Sequence, residues 1–248
     1  AGECVAAWAK ARCEVARVVR ITDGTQSAID TLLKDLAWTE QYHPDIAGIF
    51  HFQIAFNHGA NLEYYNALLH YEKARQAYEQ GVHSIVKLPG QYLYKPLANI
   101  YTRLGDNEKA VSLLKIALDS SLHHRDTVGI LKISGDLGIA YNDAKEFQLA
   151  CEQYQKGLRC LQQYLSNGGQ YDEQTYLFSN WALAMLSLGQ PDSAQILAQH
   201  ALTQDSENPD AFLILGEIEA QKGHLAPADG YFRQAEEICR ADSPPLNR

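Results

Sequence analysis

The feature that most constrains this chain is a ruler of small residues. Gly138 is followed after 12 residues by Ala150 and after 7 more by Gly157. The same 12-then-7 step joins Ala55, Ala67 and Ala74, then Ala98, Ala110 and Ala117, then Ala182, Ala194 and Ala201, then Gly216, Ala228 and Ala235. Five copies in one register are an internal repeat. Seven residues is close to two helical turns, so the second and third small residues share one face of one helix, and the first lies on the preceding helix. Removing bulk at these three places lets two helices approach closely and lets large neighbours fill the grooves. Tyr71, Leu114, Tyr154 and Phe232 each sit four residues after the second small residue and are the expected fillers. Ala198 takes that place in the fourth unit, where Trp181 is expected to fill the space instead. Turn formers separate the paired helices: Gly105-Asp106, Asn142-Asp143, Gly189-Gln190-Pro191 and Gly223.

On these residues the sequence resembles the tetratricopeptide repeat (TPR) family. Its best matches are "LANIYTRLGDNEKAVSLLKIAL" (97–118), "LGIAYNDAKEFQLACEQYQKGL" (137–158) and "LGEIEAQKGHLAPADGYFRQAEEI" (215–238). The resemblance implies an all-α fold, a right-handed superhelical solenoid of helix–turn–helix units. It places five clear units in residues 48–242 of a single array spanning 1–248, with a C-terminal tail at 243–248. A further, weaker unit falls in 1–47, where Ala16 and Ala28 keep the 12-residue step but Asp35 occupies the third place. Distances between successive first residues are 43, 40, 44 and 34, so three units exceed the standard 34-residue repeat and should have longer helices or connections. The stretch 120–141 reads as a second helix, a turn at His124–Asp126 and a long first helix, and 166–171 reads as a loop.

Bulk properties narrow the function by exclusion. The formal net charge of −9 disfavours nucleic acid and anionic membranes as partners. The longest uncharged run, Gln174–Pro191, is too polar to insert in a bilayer. The chain begins at Ala1 and its only methionine is Met185, which suggests a processed protein or an excised domain. A cytoplasmic location is expected, or a periplasmic one if a signal peptide or membrane anchor preceded Ala1. Five cysteines leave one over in any full pairing; Cys4 and Cys13, like Cys151 and Cys160, are nine apart and would face opposite sides of one helix. All five read as small packing residues in a reducing compartment.

No catalytic motif is visible. There is no phosphate-binding glycine loop, HExxH, CxxC or GxSxG, and the SxxK matches at Ser84–Lys87 and Ser112–Lys115 lack their companion motifs. Nine histidines are scattered; His51 and His58, seven apart, could share a helix face, but nothing suggests three converging ligands. The expectation is a non-enzymatic protein without metal or cofactor.

The resemblance implies that first helices line a concave face on which peptides lie. Candidate lining residues are Phe52 and Phe56 from the first clear unit and Tyr92, Lys95, Asn99 and Arg103 from the second. Lys132 and Asn142 come from the third unit, Tyr176 and Asn180 from the fourth. They combine aromatic area, backbone-bonding amides and a few cations. Lys95 and Asn99 match the first pair of the family's carboxylate clamp, but Asp136, Tyr176 and Asn180 stand where its other amide and cations belong, so a clamp is not expected. The implied function is a protein- or peptide-binding module, a regulatory or scaffold part of a signalling or transcription-control protein. The alternative is a sensory input domain of a larger membrane receptor, or a periplasmic assembly factor. A covering domain or a second copy is expected over the C-terminal end, where Tyr231, Ala235 and Ile238 could meet a next unit and the prolines of "ADSPPLNR" stop the helix.

Overall fold

The computed structural model describes residues 2–82, 86–169 and 175–241. Among these residues twelve α-helices and no strand are found, and the helices follow in pairs. They are α1 (Gly2–Asp23) with α2 (Thr25–Tyr42), α3 (Ala47–Ala60) with α4 (Tyr64–Glu79), and α5 (Lys95–Arg103) with α6 (Asn107–His123). Next come α7 (Thr127–Asp143) with α8 (Phe147–Ser166), α9 (Thr175–Ser187) with α10 (Pro191–Gln204), and α11 (Pro209–Gln221) with α12 (Leu225–Ala241). A π-helical turn, Gly90–Tyr94, leads into α5. The chain divides into two compact units, residues 1–133 and 134–248. Among the described residues no helix is long and apolar enough to cross a membrane.

The ruler is a packing register. Every small residue of the five triplets is buried. A Cβ added at Gly138 would overlap the ring of Tyr154, and one at Gly216 would overlap the ring of Phe232. In these two units the first small residue therefore makes room for the aromatic that follows the second by four. Tyr154 is 1% exposed, and its hydroxyl accepts from Asn142 Nδ2 at 3.2 Å, so the ring has no slack. Trp181 does not fill the space at Ala198 as expected. Phe178, Leu197 and Met185 belong to the cluster around Ala198, and Phe178 lies against His200 with 4.1 Å between ring centroids.

A second register lies in the turns. Seven residues after the first small residue, each clear unit holds a residue with left-handed backbone: Leu62 (φ 61), Gly105 (φ 84), Lys145 (φ 61), Gly189 (φ 72) and Gly223 (φ 81). The next residue's N–H then bonds back to the first helix: Glu63 to His58, Asp106 to Tyr101, Glu146 to Tyr141, Gln190 to Met185 and His224 to Glu219, at 2.8–3.0 Å. This is the Schellman arrangement, which satisfies carbonyls that the helix end would otherwise orphan.

The first helix pair keeps the 12-residue step of the ruler but not the turn register, since its left-handed residue is Gly24, eight residues after Ala16. Ala16, Ala28 and Leu32 are buried in a cluster with Ala9, Cys13 and Phe50. At the third place Asp35 accepts from Arg12 Nε at 2.8 Å, so an ion pair stands where a small residue stands elsewhere. The long units lengthen their second helices as expected: α8 has 20 residues and α6 has 17, against 14 in α10 of the shortest unit. The turn at 124–126 is present, with Arg125 left-handed at φ 53. Residues 170–171 of the expected loop and the expected tail, 243–248, lie outside the described residues. One expectation fails in part. Cys4 and Cys239 are exposed and so are not packing residues, whereas Cys13 and Cys151 are buried. At the C-terminal end Ala235 is buried, Tyr231 stacks on Phe212 of α11 at 6.3 Å, and Ile238 is half-buried.

Both registers can be tested through stability. Gly138→Leu must displace the Tyr154 ring and should cost about 1–3 kcal/mol or more; an unchanged urea midpoint would disprove the close contact. Lys145→Gly removes a non-glycine residue from left-handed backbone and should stabilise by about 0.5–1 kcal/mol, while Gly105→Ala should do the reverse. Equal midpoints for these variants and the parent would show that the turn conformation carries no strain.

Candidate peptide-binding groove

The first helices bury one face against their partners, which leaves a second face. On α5, Leu97, Ala98 and Tyr101 point inward. Pro96, Asn99 and Arg103, at spacings of three and four, form the opposite stripe. In the unit spanning residues 1–133 this stripe borders an open groove of roughly 350 Å³. Phe56, Gly59 and Ala60 of α3 form one wall, and Tyr64 and Tyr71 of α4 form the floor. Pro96, Asn99, Ile100 and Arg103 of α5 form the other wall. The lining is mainly apolar, and the Phe56 side chain is 46% exposed.

Of the candidate residues, the groove brings together Phe56, Asn99 and Arg103. Phe52 is half-buried and meets Tyr71 edge-on with 6.2 Å between ring centroids, so it packs the α3–α4 pair. Tyr92 is exposed on the π-turn, and Lys95 and Lys132 are half-buried; none of them lines the groove. In the second unit Asn142 does not line an open face: it is buried, and its Nδ2 also donates to the Asn180 carbonyl at 2.9 Å. Asn180 Nδ2 donates to the Tyr176 carbonyl at 2.8 Å, and the Tyr176 ring lies against Gly135 of α7. These three residues hold α7 and α9 together. The residues missed by sequence reasoning are Pro96 and Ile100, which share the α5 face already marked by Asn99 and Arg103, and Tyr64 and Tyr71, seven apart on α4.

A histidine network joins α3 to α4 elsewhere in the same unit. The Nδ1 atoms of His51 and His70 share a hydrogen bond of 2.9 Å, and His58 stacks on His70 at 5.7 Å. Glu63 holds His58 Nδ1 at 2.7 Å, and Glu40 lies 3.3 Å from His51 Nε2. Among the described residues no group of three or more His, Cys, Asp or Glu side chains is placed to hold a metal ion. Burial first, then the positive charge of Lys73, lowers the His51 pKa to about 4. Burial first, then the neighbouring histidines, lowers that of His70 to about 4. The His51–His70 pair is therefore neutral at pH 7 and works as a structural tie.

No protein-family model matches the chain, and no curated protein matches it either. Solved structures do. BtubC from P. vanneervenii is 19% identical with a TM-score of 0.61, over 99% of this chain and 94% of that one. MamA from Desulfovibrio magneticus is 16% identical with a TM-score of 0.60, over 79% and 97%. PilF of Pseudomonas aeruginosa is 15% identical with a TM-score of 0.59, over 76% and 74%. These neighbours are TPR proteins, and the likeness shows that the chain has the all-helical TPR-type repeat fold.

The lowered histidine pKa values set a pH dependence. Unfolded imidazoles titrate near 6.5, so between pH 6.5 and 4 the unfolded chain binds more protons than the folded one. Stability should be full above pH 6.5 and decline as pH falls toward 4, by about 1–3 kcal/mol between pH 7 and 5. The double variant His51→Gln/His70→Gln should flatten urea-melt stability across that range; an identical slope in parent and variant would remove the network as its source.

Proposed function

We propose that the chain is a non-enzymatic scaffold or regulatory module that seats a segment of a partner protein in the groove of α3, α4 and α5. The observation that carries this reading is the groove itself. Phe56, Tyr64 and Ile100 offer apolar area, and the Asn99 amide beside them can bond a peptide backbone. An aromatic side chain left partly exposed in a concave apolar site is the usual composition of a binding hot spot. The TPR-type fold supports the same reading, because repeat arrays turn one helix face of each unit into an extended surface for other proteins.

The test uses dodecapeptides selected from a random phage-displayed library on the full chain. Phe56→Ala should weaken the selected peptides about tenfold or more, and Asn99→Ala by a smaller factor, with melting temperatures within a few degrees of the parent. Selected peptides that bind the Phe56→Ala variant undiminished, or a library that yields no binder, would defeat the proposal.

A further inference from the structure

The groove carries charge that its apolar walls do not need. Arg103, exposed, stands on the α5 wall. Arg20, in the last turn of α1, lies over the Phe56 ring with its guanidinium carbon 5.2 Å from the ring centroid. Elsewhere in the chain Arg12, Arg17, Arg75, Arg233 and Arg240 each reach a carboxylate at 2.6–2.8 Å. Arg20 and Arg103, like Arg125 and Arg159, reach none among the described residues. The carboxylates near the groove are already engaged: Glu63 holds His58, Asn61 and Asn66, and Glu72 holds Arg75 and the Tyr101 hydroxyl. A chain of formal charge −9 thus leaves two guanidinium groups unanswered at one apolar site.

From this we infer that the groove takes a partner segment in which an apolar side chain is followed or preceded, within two residues, by an aspartate or glutamate. The inference rests on the reading of the groove as the binding site. The apolar side chain fills the space between Phe56, Tyr64 and Ile100, and the carboxylate meets Arg20 and Arg103. Guanidinium is suited to this: it is planar, permanently charged and able to bond both carboxylate oxygens. Arg20 is not itself a lining residue; its cation–π contact ties it to Phe56 of the groove wall. This is not the family's carboxylate clamp, whose remaining positions here are Asp136, Tyr176 and Asn180. Nor does a second depression in this unit compete, since its His51, Glu40 and Lys73 already answer one another.

The selected dodecapeptides also test this inference. They should be enriched in Asp or Glu within two residues of Leu, Ile, Phe or Trp. Arg20→Gln and Arg103→Gln should each weaken such a peptide about fivefold without shifting the melting temperature, and the lysine variants should recover part of the loss. A peptide whose Asp or Glu is replaced by Asn or Gln should lose a similar factor and become indifferent to both arginine variants. Enrichment of neutral or basic peptides overturns the inference, as do acidic peptides indifferent to both arginines. Binding that falls with Phe56→Ala but ignores the arginine variants keeps the groove and removes its acidic specificity. Binding that ignores Phe56→Ala removes the groove itself.

Discussion

At Gly138 and Gly216 the ring of Tyr154 or Phe232 occupies the space that a side chain would need. That contact fixes how closely the first helix of a pair approaches the second, and the rest of the unit is arranged around it. The first helix ends seven residues later at a left-handed residue, and its last carbonyls are satisfied by the Schellman bonds. The second helix starts in time to bring its small residue opposite. Distances close to the contact are invariant because one residue more or less would rotate a helix by about 100° and bury the wrong face. Distances far from it are free. This is why units of 34 to 44 residues coexist, with the difference taken up in second helices such as α8 and in the connections. Added turns at the distal end disturb no contact that the register protects.

The same physics decides what the amino-acid sequence reveals. Close packing leaves a periodic mark, since only glycine and alanine fit, so the helix pairs and their faces are legible from residue spacing alone. The turns are legible where glycine marks the left-handed residue, at 105, 189 and 223. The turn before α8 is legible from Asn142-Asp143, but neither Leu62 nor Lys145 has the residue type that signals left-handed backbone. Asn142 misleads because an amide serves equally well to bind a peptide or to join helices, and only burial tells the two apart. Arg20 escapes notice for a different reason. It belongs to the first helix pair, where the Arg12–Asp35 ion pair replaces the third small residue and interrupts the ruler. The groove is lined from two helix pairs, with Arg20 of a third lying over Phe56, and sequence spacing reports only on one pair at a time.

Charge adds a selectivity that shape alone would not provide. The acidic chain repels a strongly acidic partner at distances up to about a Debye length, roughly 8 Å at physiological ionic strength. Within the groove the balance reverses, because Glu63 and Glu72 are occupied while Arg20 and Arg103 are not. A segment with a long acidic run gains little from two cations and meets the repulsion of the whole surface. A basic segment is drawn to the surface but meets two guanidinium groups at the groove. The segment that avoids both costs has one or two carboxylates placed beside an apolar anchor. Discrimination of this kind comes as much from what is repelled as from what is bound, and it requires no contact beyond those that α1, α3, α4 and α5 already present.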